Sequence, residues 1–275
     1  MDKLKVWKEE LPFDERLKLW DARAESAKEE LPLKELKSLP KMVGITEETR
    51  RFLRLKSLWW MIRKDEGASI FLSFMRRPFY HLSRLIRSYF GRFPMKEEGD
   101  FFLYGVSSVN AFKDLLKEKN TVLVAGFSYC HKPLECPSGR FTDRCIRDPA
   151  NLVCRQCFIG KAMNQLPKGY TVPVIIPTVH HIGRKVFEAI RDNPGKEVIF
   201  LITACEMTLR MFHDYGNMAG IKGAGVRLRG RICNTMRAFE LSEEGIKPGL
   251  TVVTEDTQDQ MMVFIHERQK AESTF

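Results

Sequence analysis

From about residue 120 the chain alternates short apolar runs with stretches of helical periodicity. TVLVAGF (121–127), YTVPVIIPTV (170–179), KEVIFLIT (196–203), VRLRGRIC (226–233) and LTVVTED (250–256) are rich in β-branched or aromatic residues and short enough to be buried strands. HHIG then leads to the helix RKVFEAIRDN, and EMTLRMFHDYG follows the third run as another. Strands alternating with helices predict an open α/β sheet, mostly parallel. The first hundred residues carry a different pattern. Residues 1–40 are charged and Leu-punctuated, broken by Pro12, Pro32 and Pro40, and predict one or two solvated helices. Thr46 caps a helix through ETRRFLRLKSLWWMIRK that breaks near Gly67. In SIFLSFMRRPFYHLSRLIRSYF, Pro78 requires either a kink or two shorter helices. GRFPMKEEGD (91–100) reads as a linker and GIKGAG (220–225) as a turn. The division is a helical basic and aromatic N-terminal region, 1–98, followed by a cysteine-rich α/β metal-binding domain, 99–275.

Charge changes the picture of the N-terminal region. The net charge is +10, and between Arg50 and Arg92 eleven Lys or Arg face only Asp65 and Glu66, a surplus of nine. Nine aromatics are interleaved there: Phe52, Trp59, Trp60, Phe71, Phe74, Phe79, Tyr80, Tyr89 and Phe90. Cations meeting anionic headgroups, with rings at the interface, suit a membrane surface. Phosphate contacts with base stacking suit nucleic acid, the less favoured partner. A helical hairpin that packs its aromatic stripe inward and turns its arginines to water is the third reading. No apolar run approaches the roughly 18 to 20 residues that span a bilayer, and the N-terminus is charged throughout. The expected location is therefore a reducing cytoplasm, at most peripheral to the inner face of the membrane.

Cysteine spacing supplies the candidate chemistry. Five of the seven fall in Cys130-x5-Cys136-Pro137-x7-Cys145-x8-Cys154-x2-Cys157. Seven is odd, so complete internal pairing is impossible, and 275 residues at 44% hydrophobic need no covalent staple. Free, dense thiols in a reducing compartment point to metal or redox chemistry. Cys130 and Cys205 each follow a predicted strand and Cys233 closes another, so these three can converge beyond the carboxyl ends of the sheet. Cys136, Cys145, Cys154 and Cys157 lie in an excursion with little hydrophobic pattern of its own, which calls for an organising centre. Four thiolates satisfy a tetrahedral zinc or all the irons of a [4Fe–4S] cluster, whereas three leave one iron open. Other groupings, such as Cys130 with Cys136, Cys154 and Cys157, stay open. Only Cys154 and Cys157 form the close pair usual for zinc, which favours one or two [4Fe–4S] clusters, with Zn2+ as the alternative.

Other candidates are weaker. His180 and His181 sit where a strand turns into a helix, His131 adjoins Cys130 and is expected to face solvent, and Glu206 follows Cys205 as an acid, a base or a helix-dipole partner. Arg227, Arg229 and Arg231 share one face of a predicted strand, suited to an anionic substrate or to a solvated edge. There is no GxxxxGK[ST], GxSxG, HExxH or post-strand GxGxxG, and no CxxxCxxC. Any catalysis therefore rests on the metal centre or the sheet-edge loops.

Cys136-Pro137, Cys154 and Cys157 with Gly160, Ala204-Cys205-Glu206 and Cys233-Asn234-Thr235 occur in the order found in an uncharacterised prokaryotic family, domain of unknown function 116. The chain resembles that seven-cysteine family over roughly residues 120–245, and the resemblance implies a metal-binding domain without naming a substrate. The expected function is an iron–sulfur protein with redox or cluster-based chemistry, working at an anionic membrane surface or a redox partner protein. The competing expectation is a zinc-stabilised module that binds nucleic acid or protein through its basic helices.

Overall fold

A computed structural model of the chain describes residues 11–39, 45–53, 55–65, 67–91 and 95–274. Pro40, Arg54, Glu66 and Arg92 lie outside the described residues, as do the side chains of Arg51 and Phe52. Five helices come first: α1 (Phe13–Glu30), α2 (Glu47–Phe52), α3 (Leu55–Lys64), α4 (Ser69–Met75) and α5 (Pro78–Tyr89). The hairpin β1 (Met95–Glu98) and β2 (Phe101–Tyr104) leads to α6 (Val109–Leu115) and β3 (Thr121–Ser128). After the cysteine-rich excursion come α7 (Leu152–Gln156), α8 (Phe158–Gln165), β4 (Thr171–Ile176), α9 (Val179–Asp192), β5 (Glu197–Ala204) and α10 (Glu206–Ala219). The chain continues through β6 (Lys222–Arg227), β7 (Arg229–Gly230), α11 (Met236–Glu243), β8 (Thr251–Val252) and α12 (Glu255–Ser273).

The main sheet has the order β1-β2-β6-β5-β3-β4. β4, β3, β5 and β6 run parallel, and β2 and β1 add an antiparallel edge. The fold is thus α/β with an open, mostly parallel sheet, preceded by helices, as the alternating pattern predicts. Strand alternation still operates although both faces are covered. Val198, Phe200, Ile202 and Ala204 of β5 join the core under α9 and α10, while Ile199 and Leu201 join the opposite core with Phe112 of α6, Ile159 of α8 and Ile265 of α12.

The structure corrects several expectations. GIKGAG is not a turn, because it enters the central strand β6. A side chain at Gly223 would collide with the Phe200 carbonyl and one at Gly225 with Leu209, so the glycines permit close approach of β5 and α10. VRLRGRIC accordingly holds the end of β6 and then the two-residue β7, not one strand. The end of GRFPMKEEGD is not linker: Met95–Glu98 pairs with Phe101–Tyr104, Gly99 takes the left-handed turn, and the division at 98 falls inside this hairpin. LTVVTED contributes only the two-residue β8, since Glu255 already begins α12. Two shorter helices meet at Pro78, which occupies the first turn of α5. Thr46 caps as predicted, accepting from Thr49 N at 3.2 Å, though the following helix is divided into α2 and α3. α1 is not simply solvated: Trp20 is buried with its indole N–H on the Arg155 carbonyl at 3.0 Å, and Phe13 stacks on His266.

Candidate metal and thiol centre

All seven cysteines are free thiols, and they gather in two places. Cys136, Cys145, Cys154 and Cys157 line one small cavity with Lys132, Pro133, Val153 and Gly160. Short turns deliver them: Cys136 N–H bonds the Pro133 carbonyl at 3.2 Å, and Gly139 N–H returns to the Cys136 carbonyl at 2.9 Å. Asn151 caps α7 by accepting from Val153 N at 3.0 Å and Cys154 N at 3.2 Å. Cys157 ends that helix and caps α8. A side chain at Gly160 would strike the Cys154 carbonyl, which explains why glycine follows the Cys154–Cys157 pair.

The surroundings of these sulfurs pull in two directions. Backbone N–H groups of Arg147, Asp148, Ile159 and Gly160 donate to Cys145, Cys154 and Cys157. Burial nevertheless dominates, pushing the Cys145 thiol up, Cys154 to about 11 and Cys157 to about 12. Lys132 is buried beside them. Its ammonium donates to the carbonyls of Gly139 at 3.0 Å, Thr142 at 3.1 Å and Arg144 at 2.7 Å, and to Thr142 Oγ1 at 2.9 Å. One cation therefore ties the excursion together and lends positive potential to the cavity. Lys132, Pro133 and Cys157 also line an open cleft of about 810 Å3 that reaches the surface beside α1 and α12.

The second gathering is at the carboxyl edge of the parallel strands. Cys130 follows β3, Cys205 caps α10 after β5, and Cys233 follows β7; all three line a cavity of about 30 Å3 with Thr178, Thr208 and Glu243. The Cys130 carbonyl is pinned by Thr251 Oγ1 at 2.7 Å and by the Arg140 guanidinium at 3.1 Å. Cys205 Sγ lies 3.3 Å from Thr208 Oγ1, and Lys247 Nζ donates to Cys233 Sγ at 3.4 Å. Donation from the Cys205 thiol, reinforced by Lys247, holds Cys233 below the usual thiol range, while Cys205 is raised as the proton holder of the pair. Burial raises Glu243 to about 8, although Val179 N–H donates to it at 2.9 Å.

The remaining candidates fall elsewhere. His180 has its Nε2 2.9 Å from the Met61 carbonyl and its Nδ1 3.9 Å from Glu243 Oε2, at the rim of the thiol edge. His181 is in the first turn of α9, its N–H on the Thr178 cap. His131 faces solvent only in part: it is partly exposed on the open cleft, while its ring stacks on Phe158, its Nδ1 is buried with no hydrogen-bond partner, and burial lowers its pKa to about 4. Glu206 pairs with Arg210 at 2.9 Å. Arg227 and Arg229 are paired with Glu97 and Asp100 of the β1–β2 hairpin, which the linker reading of that segment hid. Lys132, Arg140, Glu243 and Lys247 carry no motif, and position in the fold alone distinguishes them from surface charges. Among the described residues, no three Cys, His, Asp or Glu side chains stand as a ready single-ion site. No protein-family model matches the chain, and no curated protein or solved structure matches it either.

Proposed function

We propose that this chain is an iron–sulfur protein in which Cys136, Cys145, Cys154 and Cys157 hold a [4Fe–4S] cluster. The observation that carries the reading is the shared cavity of these four thiols, with backbone N–H groups donating to three of the sulfurs and Lys132 alongside. N–H···S bonds and a nearby cation stabilise thiolates and an anionic centre, and they set its potential. Four cysteine donors are the number such a cluster takes, and the cavity of about 10 Å3 between them would have to open to admit it. Cys130, Cys205 and Cys233, which line the small cavity at the sheet edge, are the residues that would hold a second centre, and three donors would leave one iron of a [4Fe–4S] cluster without a protein ligand. Such clusters supply one-electron transfer, or Lewis acidity where one iron is unligated. Here Lys247 holds a positive charge at Cys233 Sγ, and Glu243 is a buried carboxyl facing the same cavity as the three thiols. The wide cleft at Cys157 gives a redox partner an approach to the four-cysteine centre. The seven-cysteine family resemblance is part of this proposal.

Zinc is the second reading, favoured by the close Cys154-x2-Cys157 pair. Paired variants distinguish the two. Cys154→Ser with Cys157→Ser, and separately Cys205→Ser with Cys233→Ser, are compared with the parent after oxygen-free purification. The cluster reading predicts visible absorption in the parent and its loss with the first pair. A colourless parent that holds zinc on the same cysteines establishes the second reading instead.

A further inference from the structure

Helix α5 packs Leu85 and several polar groups on the protein and leaves much of its apolar surface outside. Its polar side faces the protein: His81 is 6% exposed and Ser88 is fully buried, both against α10. Nδ1 of His81 lies 2.9 Å from the Met218 carbonyl, Ser88 Oγ donates to Asp214 Oδ1 at 2.7 Å and accepts from Asn217 Nδ2 at 2.9 Å, and Arg84 Nε donates to the Asn217 carbonyl at 2.7 Å. These bonds fix the rotation of the helix. The apolar stripe at 79, 82 and 86, spaced three and four apart, therefore points outward. Phe79 is 87% exposed, Phe90 just past the helix is 73% exposed, and Leu82 and Ile86 are about half exposed.

The neighbouring helix α4 packs apolar side chains inward, Phe74 among them, and yet adds to the exposed apolar surface. It buries Ile70 and leaves Phe71, Leu72 and Met75 exposed. Exposed Arg76 and Arg77 join the two helices, exposed Arg87 lies near the end of the stripe, and no Asp or Glu occurs between residues 67 and 96. A surface helix normally turns its apolar stripe to the core, and a contiguous exposed apolar patch marks an interaction site.

We infer that α4 and α5 form a docking face for an anionic lipid bilayer, with Phe79, Leu82 and Ile86 in the headgroup–acyl boundary and Arg76, Arg77 and Arg87 against lipid phosphates. Charge complementarity and side-chain type select the lipid surface. Leu72, Met75, Leu82 and Ile86 have no ring to stack on a nucleic-acid base. A second copy would bring the arginines of these two helices against each other, with no acid in either helix to neutralise them. None of these residues belongs to either thiol site, so the docking face stands apart from the metal chemistry.

Sedimentation of the full chain with vesicles tests it, using phosphatidylcholine alone and phosphatidylcholine mixed with phosphatidylserine. The chain should bind the mixed vesicles and release them as salt is raised. Phe79→Ser with Ile86→Ser should weaken binding about tenfold or more, because apolar burial is lost. Arg76→Glu with Arg77→Glu should abolish the preference for phosphatidylserine. All four positions are exposed, so thermal unfolding of both variants should match the parent. Failure of the parent to bind the mixed vesicles, or equal binding by the apolar double variant, overturns the inference. A dimer broken by Phe79→Ser with Ile86→Ser, or salt-sensitive retention on DNA, in a chain that ignores vesicles would reassign the face to a second copy or to nucleic acid.

Discussion

At the scale of single residues, buried groups in the excursion decide more than the cysteines alone. The three N–H groups of the Lys132 ammonium serve four oxygens, three of them main-chain carbonyls of residues 139–144. Lys132→Met would leave those carbonyls without their donor and remove the cation from the thiol cavity. The expected cost is about 3 kcal/mol or more of stability together with weaker metal retention, read by denaturant unfolding and metal content. His131 gives a pH signature. Its folded pKa of about 4 lies below the ordinary value of 6.5, so as pH falls from 6.5 to 4 the unfolded chain takes up a proton that the folded chain refuses. This contribution to stability is complete above pH 6.5 and is lost on acidification, by about 3 kcal/mol at about 1.36 kcal/mol per unit. His131→Phe keeps the stack on Phe158, removes the unpartnered Nδ1 and should flatten that part of the pH profile in thermal unfolding. The cysteines were legible as a group because their density has no other use in a large chain. Lys132 and His131 were not, because a buried and an exposed lysine or histidine look alike until the fold encloses them.

At the scale of elements, patterning located the strands that are apolar throughout and missed those whose identity comes from neighbours. β3, β4 and β5 carry enough Val, Ile and Phe to be read directly. β6 holds Gly223 and Gly225, which look like a turn in isolation and are required by contact with Phe200 and Leu209. The hairpin β1–β2 was hidden by the charged MKEE, whose Glu97 pairs with Arg210 of α10 and Arg227 of β6, far away in sequence. The direction of α4 and α5 was equally illegible. Their amphipathic pattern is plain, but the reading that packs the stripe inward fails for α5 because His81 and Ser88 have specific partners on α10. Gly160→Ala tests the Cys154–Cys157 turn. A methyl group there meets the Cys154 carbonyl, so the turn must shift, and metal content should fall while the sheet, which this residue does not enter, keeps its circular dichroism.

At the scale of the whole molecule, the parallel sheet and the excursion divide the thiols between them. The sheet brings Cys130, Cys205 and Cys233 to its carboxyl edge by topology, since β3 and β5 end side by side. The excursion brings the other four together by turns, caps and Lys132, without a core of its own. Among the described residues, no helix is long and apolar enough to cross a membrane. The central claim is that the thiols hold iron and sulfide. Iron, acid-labile sulfide and zinc should be counted per chain in protein purified without oxygen. About four or eight irons with matching sulfide is the predicted result, one cluster or two; one zinc per chain with no sulfide would contradict it.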